Sequence, residues 1–192
     1  MRGQGSSRIE TGRLILRHFR DEDLATFYAY RNDPEVARYQ SWERISEREA
    51  RFFIEEMQEA QPGTPGEWFQ FAIELKEGAA LIGDCALKIS AEPPYQGEIG
   101  YTLAREHQGR GLASEAIRAL LDYSFSELQL HRVVASADCE NTRSLALMER
   151  VGMRREGHFL QSMWFKGRWS DDCMYAILRD EWQEKKRMKD EG

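Results

Sequence analysis

The sequence predicts an α+β domain in which most of the strands run antiparallel. Three strand-like segments, at 68–75, 80–90 and 98–104, follow one another with short connections, which is typical of antiparallel neighbours. Segments with helical periodicity lie before and after them, and the clearest covers 112–128. Because no internal repeat or low-complexity linker divides the chain, we expect residues 1–192 to form a single domain.

Caps and alternation place the other elements in order along the chain. Asp21 caps a first short helix that ends at Asp33, and a capping box that begins at Ser46 starts a second helix. Asn141 caps a helix in the second half of the chain. The remaining predictions are a strand at 13–19, a loop at 61–67, a strand at 131–138, a helix at 141–152, strands around HFLQSMWFKG and DCMYAILR, a flexible N-terminus at 1–8 and a charged tail at 183–192.

Composition and charge restrict the class of protein. Of the 192 residues, 41% are hydrophobic and 31% are charged, which is usual for a globular protein in water. The net charge of −6 disfavours general binding to nucleic acid and suits a cationic substrate. No apolar run approaches the ~18 residues of a membrane span, and the polar start MRGQGSSR is not a signal peptide. We therefore expect a cytoplasmic protein without nucleic-acid or membrane partners.

The cysteines and histidines show no ligand or disulfide pattern. Cys85, Cys139 and Cys173 are odd in number, far apart and never in a C-x-x-C pair. This argues against a disulfide framework and a zinc knuckle, and it fits a reducing compartment. The histidines lack metal-ligand spacing, so we expect no metal site and interpret His107 and His131 as surface or packing residues.

A glycine-containing loop precedes the amphipathic helix, in REHQGRGLASEAIRALLDYSF (105–125). A P-loop would require a lysine, and a dinucleotide fingerprint would require glycine where Ser114 stands. The pattern Q-x-x-G-x-A (108–113) instead lets backbone N–H groups converge on a pyrophosphate at the helix N-terminus. Arg105 and Arg110 lie beside it as counter-charges. A plain strand-to-helix turn is the alternative, and the ordered context of strand, polar loop, arginines and helix favours anion binding.

Four segments of the chain show a resemblance to a known family. EIGYTLAREHQGRGLASEAIRALLDYSF resembles the acyl-coenzyme A binding motif of the GNAT N-acetyltransferase superfamily, whose signature Q/R-x-x-G-x-G/A permits the alanine found here. TGRLILRHFRDEDLATFYAYRNDPEV, CENTRSLALMERVGMRREG and WFKGRWSDDCMYAILRDEW resemble the branch that contains ribosomal-protein N-terminal alanine acetyltransferases. The resemblance implies an acetyl-CoA-dependent N-acetyltransferase. It also implies a GNAT-type mixed, mostly antiparallel central sheet with helices on both faces and splayed strands that hold acyl-CoA.

The resemblance also implies which residues contact the cofactor. Backbone N–H groups of 108–113 hold the pyrophosphate, and the end of the preceding strand pairs with the pantetheine arm. The N–H near Leu103 steadies the oxyanion, and Asn141 touches the pantetheine arm. The implied cofactor-binding residues are Leu103, Ala104, Arg105, Gln108, Gly109, Arg110, Gly111, Leu112, Ala113, Ser114, Asn141 and Ser144.

Two residues are candidates for the proton transfers. Ser144 is the candidate for protonating the leaving thiolate because no tyrosine, the usual acid of this family, follows at 145–151; N-x-x-S is also what a capped helix requires. Glu98 is the candidate general base, with a plain surface carboxylate as the alternative. An α-amine with a pKa of roughly 7.8 needs less help than a lysine near 10.4, and this gap corresponds to roughly 3.5 kcal/mol.

Substrate contacts are predicted in two variable stretches. Tyr39 and Trp42 would line the acceptor cleft or belong to the core, and Asp171 and Asp172 would bind a cationic amine or serve the structure. The predicted acceptor is a primary amine, with a peptide or ribosomal-protein N-terminus first and a small polyamine or aminoglycoside-type amine second. A non-catalytic acyl-CoA sensor and a nucleotide-binding regulator are the alternatives of other classes, and monomer and homodimer both stay open.

Overall fold

A computed structural model describes residues 8–93 and 95–190 of the chain. The N-terminus is predicted to be flexible, and its residues 1–7 lie outside the described residues. The predicted charged tail is helical up to Asp190, and its residues 191–192 lie outside the described residues. The strands are β1 (Ile9–Glu10), β2 (Leu14–Arg17), β3 (Trp68–Leu75), β4 (Ala80–Ile89), β5 (Gln96–Leu103), β6 (Arg132–Asp138), β7 (Arg154–Phe165) and β8 (Arg168–Leu178). The α-helices are α1 (Leu24–Arg31), α2 (Pro34–Ala37), α3 (Glu47–Glu59), α4 (Leu112–Ser126), α5 (Thr142–Arg150) and α6 (Arg179–Asp190).

The eight described strands form one mixed sheet in the order β1-β2-β3-β4-β5-β6-β8-β7. Of its pairs, β5 and β6 run parallel and the others run antiparallel. A parallel pair requires a crossover, which α4 supplies on one face of the sheet. This confirms the predicted mostly antiparallel sheet. No helix within 8–93 and 95–190 is both long and apolar enough to cross a membrane.

Helices cover both faces of the sheet, as predicted. On the first face, Ile99 and Leu103 of β5 pack into a core with α4 and α5 residues such as Ile117 and Met148. On the second face, a smaller core joins Phe27 of α1 and Ile54 of α3 to the sheet. Because side chains of a strand alternate between faces, odd-numbered residues of β5 face α4 and α5, and even-numbered ones face α1 to α3.

Strands β5 and β6 splay apart after three residue pairs. Their ladder ends at Glu98 opposite Val134, after which β5 follows β4 and β6 follows β8. A bulge in the β3–β4 ladder precedes this region, and Gly83 lies at it. A Cβ atom on Gly83 would lie 2.2 Å from the carbonyl oxygen of Thr102, so glycine is required for β4 to approach β5 this closely. The result is a wedge-shaped cleft between β5 and β6.

The capping predictions are confirmed in two places and wrong in one. The backbone N–H of Glu49 donates to Ser46 Oγ at 3.2 Å, and that of Ser144 donates to Asn141 Oδ1 at 3.2 Å. Asp21 does not cap α1, because it begins a 3₁₀ turn that precedes the helix. Asp33 caps the additional helix α2, so it starts an element as well as ending one.

Two of the three cysteines are joined, which corrects the expectation that they stay reduced. Cys139 and Cys173 form a disulfide with a Cα–Cα distance of 5.3 Å. The two residues are 34 positions apart in sequence. They come together because β6 pairs with β8, where Ala137 lies opposite Cys173. Cys85 is a free, buried thiol.

A buried ion pair ties α1 to the centre of the sheet. Arg31 Nη2 lies 3.0 Å from Asp84 Oδ2, and the side chains are 7% and 3% exposed. Tyr30 donates its hydroxyl to the same carboxylate at 2.6 Å. The ring of Trp42 stacks on the Arg31 guanidinium at 3.8 Å. Desolvated charges are stable only as a satisfied set, so each member depends on the others.

Replacing Asp84 should therefore destabilise the fold. We expect Asp84→Ala to lower the free energy of unfolding by about 3–5 kcal/mol, because Arg31 is left buried without its counter-charge. Urea unfolding followed by circular dichroism measures the change. Glu47→Ala, which removes an exposed i, i+4 pair with Arg51, is the control and should change it by less than about 0.5 kcal/mol. Equal effects of the two substitutions would contradict the assignment.

Candidate active site

The loop before α4 presents backbone N–H groups to solvent. Gly111 is the N-cap of α4 with a φ of 75°, and Gly109 has a φ of 76°, a conformation that glycine adopts without strain. Gly111 has no side chain that could accept from the first-turn N–H groups of α4, which are left for a ligand. A Cβ atom on Gly109 would meet no atom within 4 Å among the described residues. The loop thus fits an anion such as a pyrophosphate.

Three arginines from two distant parts of the chain lie beside this loop. Arg13, just before β2, donates from Nη1 to the carbonyl oxygen of Arg110 at 3.1 Å. Arg143 of α5 donates to Gln108 Oε1 at 3.3 Å. Arg150, at the end of α5, lies 3.4 Å from Ser114 Oγ. Arg13 is also paired with Glu115 at 2.6 Å, so Arg143 and Arg150 are the arginines whose positive charges favour a polyanionic ligand, and their distance in sequence explains why the motif did not reveal them.

Two of the predicted phosphate contacts are engaged elsewhere in this structure. Arg105 pairs with Asp33 at 2.9 Å and lies in a 3₁₀ turn after the strand rather than in it. Ser114 is 4% exposed, and its hydroxyl faces Arg150. Arg110 stays exposed on the loop, so it is the better placed of the two arginines named from the sequence.

At the end of β5, backbone N–H and C=O groups face the cleft. Ala104 donates its N–H to Ile82 of β4 at 2.9 Å. Successive residues of a strand point to opposite sides, so the N–H of Leu103 and the carbonyl of Tyr101 face away from β4 and toward the splay. Gln40 donates to that Tyr101 carbonyl at 3.4 Å. An extended ligand with amide groups would find strand-like partners here.

A tyrosine of β5 meets the first turn of α5 beneath the cleft. The hydroxyls of Tyr101 and Ser144 lie 2.7 Å apart, and Tyr101 Oη also lies 3.2 Å from the Ser144 carbonyl oxygen. Burial raises the pKa of Tyr101 to about 12, so the phenol stays protonated at neutral pH. Ser144 is itself held by Asn141 through its backbone N–H. The motif pointed to Ser144 but not to Tyr101, which lies 43 residues away.

Glu98 lies at the vertex of the splay, on the opposite face. It is the last residue of β5 that pairs with β6, and its even number places it on the side of α1 to α3. Tyr101 and Ser144 lie on the side of α4 and α5. The two candidate proton-transfer groups named from the sequence therefore face the cleft region from opposite sides of the sheet.

The two aspartates predicted as substrate contacts have different surroundings. Asp171 binds His158 Nε2 at 2.8 Å and the Gln161 N–H at 2.8 Å, and these hydrogen bonds, that of Gln161 first, lower its pKa. Asp172 lies opposite Asp138 in the β6–β8 ladder. Burial raises the pKa of Asp172, and the neighbouring Asp138 charge adds to this. Asp171 is engaged in the β7–β8 hairpin, and Asp172 is the freer carboxylate.

The segment after α2 lies over the splay on the face of α1. Tyr39 Oη lies 3.4 Å from the Glu140 carbonyl oxygen, which places it beside the start of α5. Trp42 donates its indole N–H to the Arg31 carbonyl at 3.0 Å and belongs to the buried network described above. Lys166, in the β7–β8 turn, donates to the Trp42 carbonyl at 2.7 Å. The segment and the hairpin therefore contact each other beside the start of α5.

The family of the chain follows from its sequence. The profile of the acetyltransferase (GNAT) domain matches residues 13–154. The chain belongs to the GNAT family. YnaD of Bacillus subtilis strain 168, an uncharacterized N-acetyltransferase, is 35% identical over 175 residues, which cover 91% of this chain and 98% of YnaD. The [ribosomal protein uS5]-alanine N-acetyltransferase of Escherichia coli K12 is 27% identical over 91% of this chain and 92% of its own.

Solved structures of GNAT proteins share the fold. The GNAT-family acetyltransferase from Bacillus anthracis superposes with a TM-score of 0.80 at 31% identity, covering 90% of this chain and 99% of that one. Spermidine N-acetyltransferase from Vibrio cholerae, solved with CoA and spermine, gives 0.76 at 26% identity, covering 90% and 99%. The chain is an acetyl-CoA-dependent N-acetyltransferase. The glycine loop, its arginines and the splay are the features of this GNAT chain that fit such a ligand.

The loop geometry predicts a selective loss of CoA binding in Gly111→Val. A side chain at this positive φ would force the loop to rearrange, and its N–H groups would no longer converge, so we expect at least about a 10-fold weaker Kd. Calorimetric titration with CoA measures it. Gly78→Val is the matched control, because Gly78 has a φ of 79° in a turn before β4. It carries the same backbone strain and should leave the CoA Kd unchanged. Equal weakening in both variants would contradict the placement of the phosphates.

Proposed function

We propose that the chain transfers the acetyl group of acetyl-CoA to the N-terminal α-amine of a protein, with ribosomal proteins as first candidates. The observation that carries this proposal is that carboxylates around the acceptor region are paired with basic side chains. The acceptor region is the part of the splay beside the segment after α2 and the β7–β8 hairpin. Arg168 lies 3.0 Å from Asp138 and 3.1 Å from Glu140, so its one positive charge is shared between these two carboxylates. Asp171 binds His158. The region is therefore less acidic than its residue types suggest.

Asp172 and Glu98 make no ion pair with any other residue in the described ranges. Both face the side of α1 to α3 by strand register. A polyamine carries several positive charges and needs several free carboxylates, whereas a protein N-terminus carries one. Two available carboxylates suit a single α-ammonium group, which one binds and the other deprotonates.

Asp172 would bind the ammonium group, and Glu98, whose partner Val134 lies four residues from Asp138 along β6, would accept its proton through a chain of water molecules. An α-amine with a pKa of roughly 7.8 is already partly neutral at pH 7, so this assistance need not be strong. The neutral amine attacks the thioester carbon, a C–N bond forms and the C–S bond breaks. The N–H of Leu103 would stabilise the developing oxyanion.

On the other face, Ser144 would give its proton to the departing thiolate. Tyr101 is the positioning residue for this step, because its phenol lies 2.7 Å from Ser144 Oγ and stays protonated. By holding the serine hydroxyl, Tyr101 would keep it directed at the cleft between β5 and β6. The amine would thus be deprotonated on one face of the sheet and the thiolate protonated from the other, so that no single side chain serves both proton transfers.

A small-molecule amine is the second candidate acceptor. The similar structure of spermidine N-acetyltransferase, solved with CoA and spermine, favours it. The ion pairs of Arg168 weigh against it, because they engage two carboxylates that a polyamine would use and lower the net negative charge of this group by one.

The acceptor is tested by release of free CoA thiol from acetyl-CoA. The panel contains peptides that begin with Ala, Ser or Met, and spermidine and an aminoglycoside as small amines. We expect turnover on the Ala- and Ser-starting peptides, lost when their N-termini are blocked. Turnover confined to the small amines would overturn the peptide assignment and support the second candidate.

The roles of Ser144 and Tyr101 predict a loss in kcat. We expect Ser144→Ala to lower kcat by about 10²-fold, the usual contribution of a general acid, and Tyr101→Phe to lower it by a smaller factor of roughly 10. The effects should not multiply in the double variant, because both groups serve one proton. Steady-state kinetics with the best peptide measures this. Tyr28→Phe, at an exposed tyrosine of α1, is the control. An unchanged kcat in Ser144→Ala would refute the role of Ser144 as the general acid.

A further inference from the structure

A cluster of sulfur and basic groups lies beside the cleft and has no role in the proposed transfer. Cys139 follows β6 and is partly exposed, whereas Cys173 of β8 is fully buried. Their sulfur atoms are bonded to each other. The two ends of this disulfide thus differ in their access to solvent, so a reagent in solution meets one sulfur before the other.

Arg155 of β7 lies against the buried sulfur. Its Nη2 is 3.0 Å from Cys173 Sγ and 4.0 Å from Cys139 Sγ. A guanidinium at this distance stabilises a thiolate and makes it a better leaving group in thiol–disulfide exchange. His158 offers a ring nitrogen within 4.8 Å of both sulfurs, but its Nε2 is engaged by Asp171.

We propose that Cys139 and Cys173 form a reversible thiol–disulfide exchange site whose reductant is a dithiol. The thiolate of the dithiol attacks Cys139 Sγ, the S–S bond breaks, and Cys173 leaves as a thiolate paired with Arg155. The second thiol of the reductant then attacks the mixed disulfide and releases Cys139. The dithiol gives two electrons and becomes a disulfide, and the protein gains two thiols.

Solvent access to the sulfur atoms and the charge beside them both indicate which sulfur is attacked and which one leaves. The attacked sulfur must be reachable, which Cys139 satisfies and the buried Cys173 does not. The leaving sulfur must bear negative charge, which the nearer guanidinium favours at Cys173. Oxidation by a peroxide would run in reverse. The Cys139 thiol, which is the accessible one, attacks the peroxide and becomes a sulfenic acid with release of water, and the Cys173 thiolate then closes the disulfide with loss of a second water.

Cys85 provides an internal comparison for this chemistry. It is fully buried in β4, and burial raises the pKa of its thiol. The neighbouring charge that acts on it, that of Asp84, raises its pKa further and so disfavours the thiolate. It should stay inert to alkylating reagents while the protein is folded.

The site is tested on the full chain by reduction with dithiothreitol in the presence of a chelator, followed by alkylation and mass spectrometry. We expect a label on the partly exposed Cys139 and none on the buried Cys173 and Cys85 while the protein stays folded, and restoration of the disulfide by hydrogen peroxide. Glutathione, a monothiol, should be trapped on Cys139. Glutathione on Cys173 would overturn the assigned order, and labelling of Cys85 to the same extent would show that reduction requires unfolding.

The role of Arg155 is tested by the rate of reduction. We expect Arg155→Gln to slow it by about 3- to 10-fold, since the leaving thiolate loses its counter-charge. Arg154→Gln is the matched control, because Arg154 pairs with Glu156 and Glu181 instead of the sulfurs, and it should react at the wild-type rate. Equal reduction rates in the wild type and in both variants would refute the proposed role of Arg155 in stabilising the leaving thiolate. The same reduction is repeated without the chelator, and if the thiols alkylate only when it is present, the cluster is a metal site and the proposal is wrong.

Discussion

The early end of the β5–β6 ladder is the constraint on which the site depends. After Glu98 and Val134 the two strands no longer pair, although each continues to pair on its other side. Backbone N–H and C=O groups that face the gap must find partners, because leaving them buried and unpaired costs free energy. An extended amide-containing ligand supplies such partners. The sheet therefore has a built-in position for one further, non-protein strand.

The pairing of β5 with β4 and of β6 with β8 explains why the β5–β6 ladder ends there. On one side, the bulge near Gly83 bends β4, and β5 follows it through the bond from Ala104 to Ile82. On the other side, β8 holds β6 along its whole length. The same divergence brings two helix N-termini, those of α4 and α5, to one end of the cleft. The proposed phosphate site and the proposed proton donor would thus both be products of one bend in the sheet.

Local signals in the sequence predicted much of the fold and only part of the site. The box at Ser46 and the cap at Asn141 are made by neighbours in sequence, so a pattern could show them, as could the glycines of the loop. The contact of Tyr101 with Ser144 could not be read in this way, because it depends on how β5 and α5 meet. The disulfide was missed for a related reason: β8 inserts between β6 and β7, and only this strand order places Cys173 beside Cys139.

Net charge is a poor guide to the acceptor because ion pairs redistribute it locally. The overall value of −6 suits any cationic substrate and does not separate a peptide from a polyamine. Around the acceptor region, one arginine pairs with two carboxylates, and the raised pKa of Asp172 reflects burial more than repulsion. A charge in such a partly desolvated position interacts more strongly than several exposed ones. Selectivity would then depend on how many carboxylates remain unpaired, and this number follows from the positions of Arg168 and the β7–β8 hairpin.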